Sequence, residues 1–340
     1  MKNPPVVAIA GVTGAVGQEF LRLIEERKFP FSDLRMLASA RSAGKTIDYL
    51  GQTYTIEELT AESFAGVDIA LFSVGGSISK EFAPIAAKAG AVVIDNSSAF
   101  RMDPNTPLVV PEVNPAAIDG HSGIIANPNC STIIMDVVVW PIHQAVGVER
   151  IVVSTYQAAS GAGAAAMAEL EQQAHDWASG DPITQDIFGR QYLWNLFSHN
   201  SDIDPATGYN SEETKMIKET AKIFGDDDLR VSVTCVRVPV LRAHCESINL
   251  TLKSPLDENA ARELLAAAPG VKIVDDRAAN RHPEPLAASH EDDVFVGRIR
   301  ADAGQAPGVG LELFVAGDQI RKGAALNAIQ IAELLLARTS

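Results

Sequence analysis

Apolar residues recur along the first third of the chain with two different periods. Val6–Ala10 is an unbroken apolar run, short enough for a buried strand, while Ala15–Arg27 places apolar residues at helical spacing. Asp33–Ala38, Ile69–Ser73 and Val92–Asp95 read as further strands, and Ser77–Ala89 as a second helix. Lys45–Ile56 reads as a small hairpin turning at Leu50-Gly51. Strands alternating with helices dictate a parallel sheet wound on both faces. Between Asn96 and Gly123 the chain is rich in Pro, Asn and Ser, which implies loops near a site. A helix then opens at Cys130 and runs to about Ala145.

The pattern changes after that helix. Arg150–Tyr156, Arg230–Val236, His244–Leu252, Val271–Val274, Val294–Ala301 and Gly310–Ala316 read as strands. Ala164–Trp177, Ser211–Phe224 and Leu256–Ala267 read as helices, so this part is α+β with a mostly antiparallel sheet. Asp181–Tyr209 reads as a long irregular excursion, either a lid or an interface. The tail, Gly323–Arg338, is apolar on nearly every face and must be buried, which suits a return to the first domain. The expected division is residues 1–130 plus 318–340 against residues 131–317.

Charge narrows the partners. The 340-residue chain carries 28 Lys and Arg against 43 Asp and Glu, a formal charge of −15. Such a chain repels nucleic acid and anionic membranes. An anionic substrate would need local clusters of basic residues. No basic, apolar leader and no long uncharged apolar stretch is visible, and three cysteines are too few for a disulfide framework, so a reducing cytoplasmic setting is expected. Seven scattered histidines and the cysteine spacing give no metal motif.

The strand Val6–Ala10 runs into Gly11-Val12-Thr13-Gly14-Ala15-Val16-Gly17, a glycine turn opening a helix. Small residues there let a pyrophosphate approach the backbone, and the helix start supplies unpaired N–H donors. The second strand ends in Ser39-Ala40-Arg41-Ser42, without the acid that would hold an unphosphorylated ribose. Arg41 with the Ser39 and Ser42 hydroxyls suits a 2′-phosphate, so NADP is the expected cofactor. Ser73, Gly75 and Gly76 follow a parallel strand, where a doubly wound sheet opens its crevice.

Asn127-Pro128-Asn129-Cys130-Ser131-Thr132 puts a cysteine at a helix start, a position that favours the thiolate. In a nucleotide-binding chain this implies attack on an acyl carbon followed by hydride transfer. Cys235 lies in a Val-rich strand and reads as inert core, and Cys245 has no comparable setting.

Seven segments in order then resemble the aspartate-semialdehyde dehydrogenase family along essentially the whole chain: Gly11–Gly17, Asn96–Arg101, Asn127–Thr132, Tyr156–Gly163, Glu212–Met216, Cys235–His244 and Gly317–Asn327. The resemblance implies a Rossmann-type NADP-binding domain and an α+β domain for catalysis and dimerisation, in a homodimer. It implies NADPH-dependent reduction of L-aspartyl 4-phosphate to L-aspartate 4-semialdehyde, with release of phosphate, in lysine, threonine and methionine synthesis. Cys130 would be the nucleophile, Gln157 would orient the intermediate, and His244 would be general acid and base. Arg237 would hold the substrate carboxylate, Arg101 and Lys215 the phosphate, and Glu212 the amino group or the active-site network. Ser160, Gly161 and Gln319 would line the cofactor pocket, with Asn129 and Gly163 as weaker candidates.

Spacing adds detail. Arg237 and His244 lie seven apart, so on one straight strand they would face oppositely, and Pro239 implies a bend that lets them converge. Glu212 and Lys215 share a helix face. Asn210 and Glu213 have the spacing of a capping box, which leaves Glu212 as the functional candidate. Two other readings stay open: an enzyme like N-acetyl-glutamyl-phosphate reductase, whose substrate has no free amine, and an idle NADP-sensing relative.

Overall fold

The computed structural model describes residues 4–339, which fall into two compact units: one built from the chain up to Asn129 together with Ala324 onward, the other from Cys130–Gly323.

The first unit contains β1 (Val6–Ala10), α1 (Ala15–Glu26), β2 (Asp33–Ala38), β3 (Thr46–Tyr49), β4 (Gln52–Thr55), β5 (Glu57–Glu58), β6 (Ile69–Phe72), α2 (Gly76–Lys88), β7 (Val92–Asp95) and β8 (Ile124–Ala126). Its main sheet runs β5-β2-β1-β6-β7-β8 and is parallel throughout. Strand period decides what each face buries. Val7 and Ile9 pack with Phe20, Leu23 and Ile24 of α1 and with Leu326 and Ile329 of the C-terminal helix, Leu326–Thr339. Val6, Ala8 and Ala10 face the other way, toward Ala83 and Ala86 of α2. The chain leaves β1 on one side for β2 and returns on the other as β6, so the strand order reverses between β1 and β6. The expected hairpin is β3–β4, with both Leu50 (φ 48°) and Gly51 (φ 77°) in the left-handed region that a tight hairpin requires. Short β5 and β8 carried no readable pattern. The C-terminal helix belongs to this unit, where Asn327 Nδ2 donates to Val109 O at 2.9 Å and Asn127 Oδ1 at 2.7 Å.

The second unit contains α3 (Cys130–Val146), β9 (Val148–Gln157), α4 (Ala164–Ser179), β10 (Phe197–Ser198), α5 (Ser211–Phe224), β11 (Arg230–Arg237), β12 (His244–Leu252), α6 (Glu258–Ala267), β13 (Val271–Ile273), β14 (Val294–Ala301) and β15 (Gly310–Gly317). Its sheet runs β10-β11-β9-β12-β15-β14-β13, antiparallel except for β11–β9 and β13–β14. Residues 151, 153, 155 and 157 of β9 are buried while Val152, Ser154 and Tyr156 are half-buried or exposed, so one face is covered and the other open. Helices α3 and α5 lie against the covered face. The segment expected to be irregular holds only the two-residue β10, anchored by an aromatic cluster of Phe188, Tyr192 and Phe197. The turn Arg321–Ala325 has π spacing, with Gly323 N–H donating to Asp318 O at 3.1 Å. Among the described residues no helix is long and apolar enough to cross a membrane.

Candidate active site

Three neighbouring strands of the second unit end together. Gln157 closes β9, Arg237 closes β11 opposite it, and His244 opens β12 on the other side. The seven-residue separation of Arg237 and His244 is therefore a loop between two strands that flank β9. No bend within one strand is involved, and the pair converges because both strands border the same third strand.

The backbone of Ala158, immediately after β9, holds both partners. Its N–H donates to His244 Nδ1 at 3.0 Å, and its carbonyl accepts from Arg237 Nη1 at 2.9 Å. Because Nδ1 is an acceptor, the hydrogen bond assigns the neutral ring's proton to Nε2. Burial, reinforced by the Arg237 charge, holds His244 well below the ordinary histidine pKa. A charged ring would also forfeit the Ala158 bond. Nε2 is buried and faces the space beside Gly161: a Cβ built there would lie 3.0 Å from it and 2.9 Å from Arg237 Nη1.

Gln157 links this pair to α3 and α5. Its Nε2 donates to Ser131 Oγ at 2.7 Å and to Glu212 Oε1 at 3.2 Å. Ser131 follows Cys130, the half-buried first residue of α3. A thiol at that place meets the positive end of the helix dipole, and Cys130 is among the charges that act on Arg237. Behind it, a Cβ on Gly323 would sit 2.9 Å from Cys130 Cβ, so the π turn depends on glycine to pack there. Glu212 is 5% exposed and pairs with Lys215 Nζ at 3.1 Å. Glu213 closes the capping box with Asn210 and also accepts from Cys235 N–H at 2.9 Å. The cap uses up Glu213, and Glu212 is the acid joined to Gln157.

Cys235 and Cys245 are buried, and desolvation raises both thiols, Cys245 to about 12. Ser160 lies in a short turn and is bonded to Gln319, whose Oε1 accepts from Ala243 N–H at 2.9 Å.

Arg101 and the glycine turn belong to the first unit. Arg101 is buried, donating from Nε to Asn127 O at 2.9 Å and from Nη2 to Asn96 O at 2.7 Å. Asp95 fixes the loop before it by accepting from Ser79 Oγ at 2.6 Å and Ser97 Oγ at 2.7 Å. Gly11 has φ +88°, and a Cβ on it would lie 2.3 Å from Ser73 O, so only glycine brings the ends of β1 and β6 this close. A Cβ on Gly17 would lie 2.2 Å from Gly11 O. Helix α1 starts at Ala15 with no side-chain cap and no acid in its first turn, and α2 starts after Gly75 in the same way. Uncapped helix starts beside the strand-order reversal fit a dinucleotide's phosphates. Val16 and Ala15 are half-buried and Thr13 is exposed in this turn, while Arg41 and Ser39 are exposed and Ser42 is buried in the turn after β2.

Comparison with known proteins agrees with this chemistry. The family model described as semialdehyde dehydrogenase, NAD binding domain, matches residues 6–121, and that described as semialdehyde dehydrogenase, dimerisation domain, matches residues 139–322. An aspartate-semialdehyde dehydrogenase of Synechocystis is 53% identical over 338 residues, covering 99% of each chain, and one of Aquifex aeolicus is 51% identical over 97% of each. The crystal structure of aspartate semialdehyde dehydrogenase II from Vibrio cholerae, complexed with ASA, is 44% identical with a TM-score of 0.95 over 99% of both chains.

The chain belongs to the aspartate-semialdehyde dehydrogenase family. Its first unit carries the family's nicotinamide-nucleotide-binding domain and its second the dimerisation domain. Within this family member, sequence reasoning missed Ser131, Gly323 and His199. Ser131 stands inside the Asn127–Thr132 motif and was readable as a neighbour of the cysteine. Gly323 stands inside the Gly317–Asn327 segment but needs the π turn to show its purpose. His199 lies in the irregular segment, where no periodicity points to it.

Proposed function

We propose that the chain reduces L-aspartyl 4-phosphate to L-aspartate 4-semialdehyde and phosphate through a thioester on Cys130. The Ala158 backbone carries this reading, because the N–H and C=O of one residue set a neutral imidazole and a cationic fork side by side, with Gln157 leading from them to the helix that Cys130 opens.

In this mechanism the Cys130 thiolate attacks the acyl carbon, and phosphate departs with the electrons of the C–O bond, leaving the thioester. The hydride for its reduction would come from NADPH when bound. His244 presents its Nε2 proton to the oxyanion that develops, so the ring works from its acid side in this tautomer. Collapse of the hemithioacetal oxyanion returns the electron pair to Cys130 and releases the aldehyde. Arg237 takes the substrate α-carboxylate, Glu212 its amino group, and Arg101 and Lys215 the phosphate. Gln157 orients the thioester. Gly11, Thr13, Gly14, Ala15, Val16, Gly17, Ser73 and Gly75 would hold the dinucleotide, and Ser160, Gly161 and Gln319 are the second unit's candidates for binding it. Arg41 between Ser39 and Ser42 selects NADP over NAD.

The protein would act as a cytoplasmic homodimer in lysine, threonine and methionine synthesis. The open face of the second unit's sheet, with Tyr156 and Phe314 in ring contact, suits the partner subunit. A buried carboxylate joined to Gln157, as Glu212 is, would suit a free ammonium group and so favours aspartyl over N-acetyl-glutamyl substrate, and the presence of every reactive group disfavours an idle sensor. The deciding assay mixes purified protein with aspartate semialdehyde, phosphate and NADP and follows NADPH absorbance. Turnover that requires all three is expected. Turnover of N-acetylglutamate semialdehyde instead, or tight NADP binding without any turnover, overturns the proposal.

A further inference from the structure

We infer that His199 is a positioning residue, which aims the two remaining terminal N–H groups of Arg237 at the substrate carboxylate. The inference rests on the proposed function of this site. Arg237 has five N–H donors. Nε donates to Asn200 Oδ1 at 3.2 Å, Nη1 to Ala158 O at 2.9 Å, and Nη2 lies 2.8 Å from His199 Nε2. That leaves one N–H on each terminal nitrogen, a matched pair for the two oxygens of a carboxylate.

The imidazole is a fitting acceptor because it is neutral. Burial lowers the His199 pKa to about 4; Glu212 opposes that shift, while Arg237 and Lys215 add to it. A guanidinium can only donate, so Nε2 accepts and Nδ1 carries the ring proton; Nδ1 lies 3.0 Å from Ser201 Oγ, which takes that proton, and 3.2 Å from Ser201 N, which crowds the same nitrogen. Ser201 Oγ also accepts from Glu212 N–H at 3.3 Å, in the first turn of α5. A single chain of contacts therefore runs from the carboxylate-binding arginine to the helix turn that carries Glu212. Backbone pairing fixes its origin: Phe197 pairs with Arg237 and His199 N–H donates to Cys235 O at 2.9 Å, so the strand edge delivers the ring beside the guanidinium. His199 need not touch substrate. It sets the fork's plane, which an unrestrained arginine would lose among several rotamers.

The test compares wild type with His199→Leu, His199→Asn and His199→Gln. Leu removes the acceptor. Asn keeps a polar group for Ser201 but is too short to reach Arg237, and Gln can return an oxygen near the Nε2 position. KM is measured separately for aspartate semialdehyde, phosphate and NADP, with kcat and melting temperature alongside. The expected result is a rise of about tenfold or more in the semialdehyde KM for the Leu and Asn variants, KM for phosphate and NADP within about twofold, and recovery to within about threefold in the Gln variant. A semialdehyde KM unchanged in the folded Asn variant, or all three KM values rising together, overturns the inference. An inert wild type overturns the function reading as well, whereas an active wild type with uniformly behaving variants overturns this inference alone.

Discussion

At the scale of single residues, Cys130 and Arg41 have separable duties. Cys130→Ala should abolish turnover, by about four orders of magnitude or more, because no other thiol in the chain is placed to form the thioester. Its NADP affinity, measured by fluorescence titration, should stay within about twofold of wild type. Arg41→Ala should weaken NADP by roughly tenfold or more and leave NAD almost unchanged, since a 2′-phosphate is held by a charge-assisted bond that NAD lacks. Equal loss for both nucleotides would mean that Arg41 does not read the phosphate. Residue identity was legible in the sequence wherever chemistry demands one side-chain type at a helix start or a glycine turn. It was not legible for His199, because a histidine in an irregular segment owes its neutrality to burial and to cations on two other elements, Arg237 of β11 and Lys215 of α5.

At the scale of elements, the strand and helix periods forecast most of both units, including the β3–β4 turn at Leu50-Gly51 and the antiparallel bias of the second sheet. What escaped were elements too short to have a period, such as β5 and β10, and the π turn, which takes its form from packing. The placement of Arg237 and His244 escaped for another reason. Spacing along a chain says which face of one strand a residue occupies, but not that two strands will border a common third. The short turn Ala159–Ala162 gives a direct test. Gly161→Ala would set a methyl 2.9 Å from Arg237 Nη1 and 3.0 Å from His244 Nε2. Because Gly161 is exposed, folding should tolerate the change, with the melting temperature moving by about 2 °C or less. Activity should fall by roughly a hundredfold, as the methyl takes the space beside both groups. An active variant would remove Gly161 from the site.

At the scale of the whole molecule, buried acids set the response to pH. Glu246 of β12 and Asp136 of α3 are fully buried, and neither Glu246 oxygen has a hydrogen-bond partner among the described residues. Desolvation, reinforced by Asp136, raises Glu246 well above the ordinary 4.5, and desolvation likewise raises Asp136. A raised folded-state pKa means that the native form keeps protons the unfolded chain has released. Stability from these groups is therefore complete below about pH 4.5 and declines as pH rises through the folded-state values. His199 and His244 act in the opposite sense, costing stability as pH falls from 6.5 toward the lowered values. Thermal unfolding should thus show a maximum in mildly acidic to neutral buffer. Glu246→Gln, which mimics the protonated acid, should flatten the alkaline decline in melting temperature and leave the acid limb unchanged. An unaltered alkaline slope would mean that Glu246 is ionised in the native protein.

Since the imidazole hangs from the N–H and the guanidinium from the C=O of one residue, on two successive peptide planes hinged at the Ala158 Cα, a shift of that residue disturbs both. No substitution at position 158, short of proline, deletes either bond, because side-chain exchange leaves N–H and C=O in place. Engineering a new electrophile preference would therefore have to move the backbone of residue 158 itself, shifting proton donation and anion recognition together.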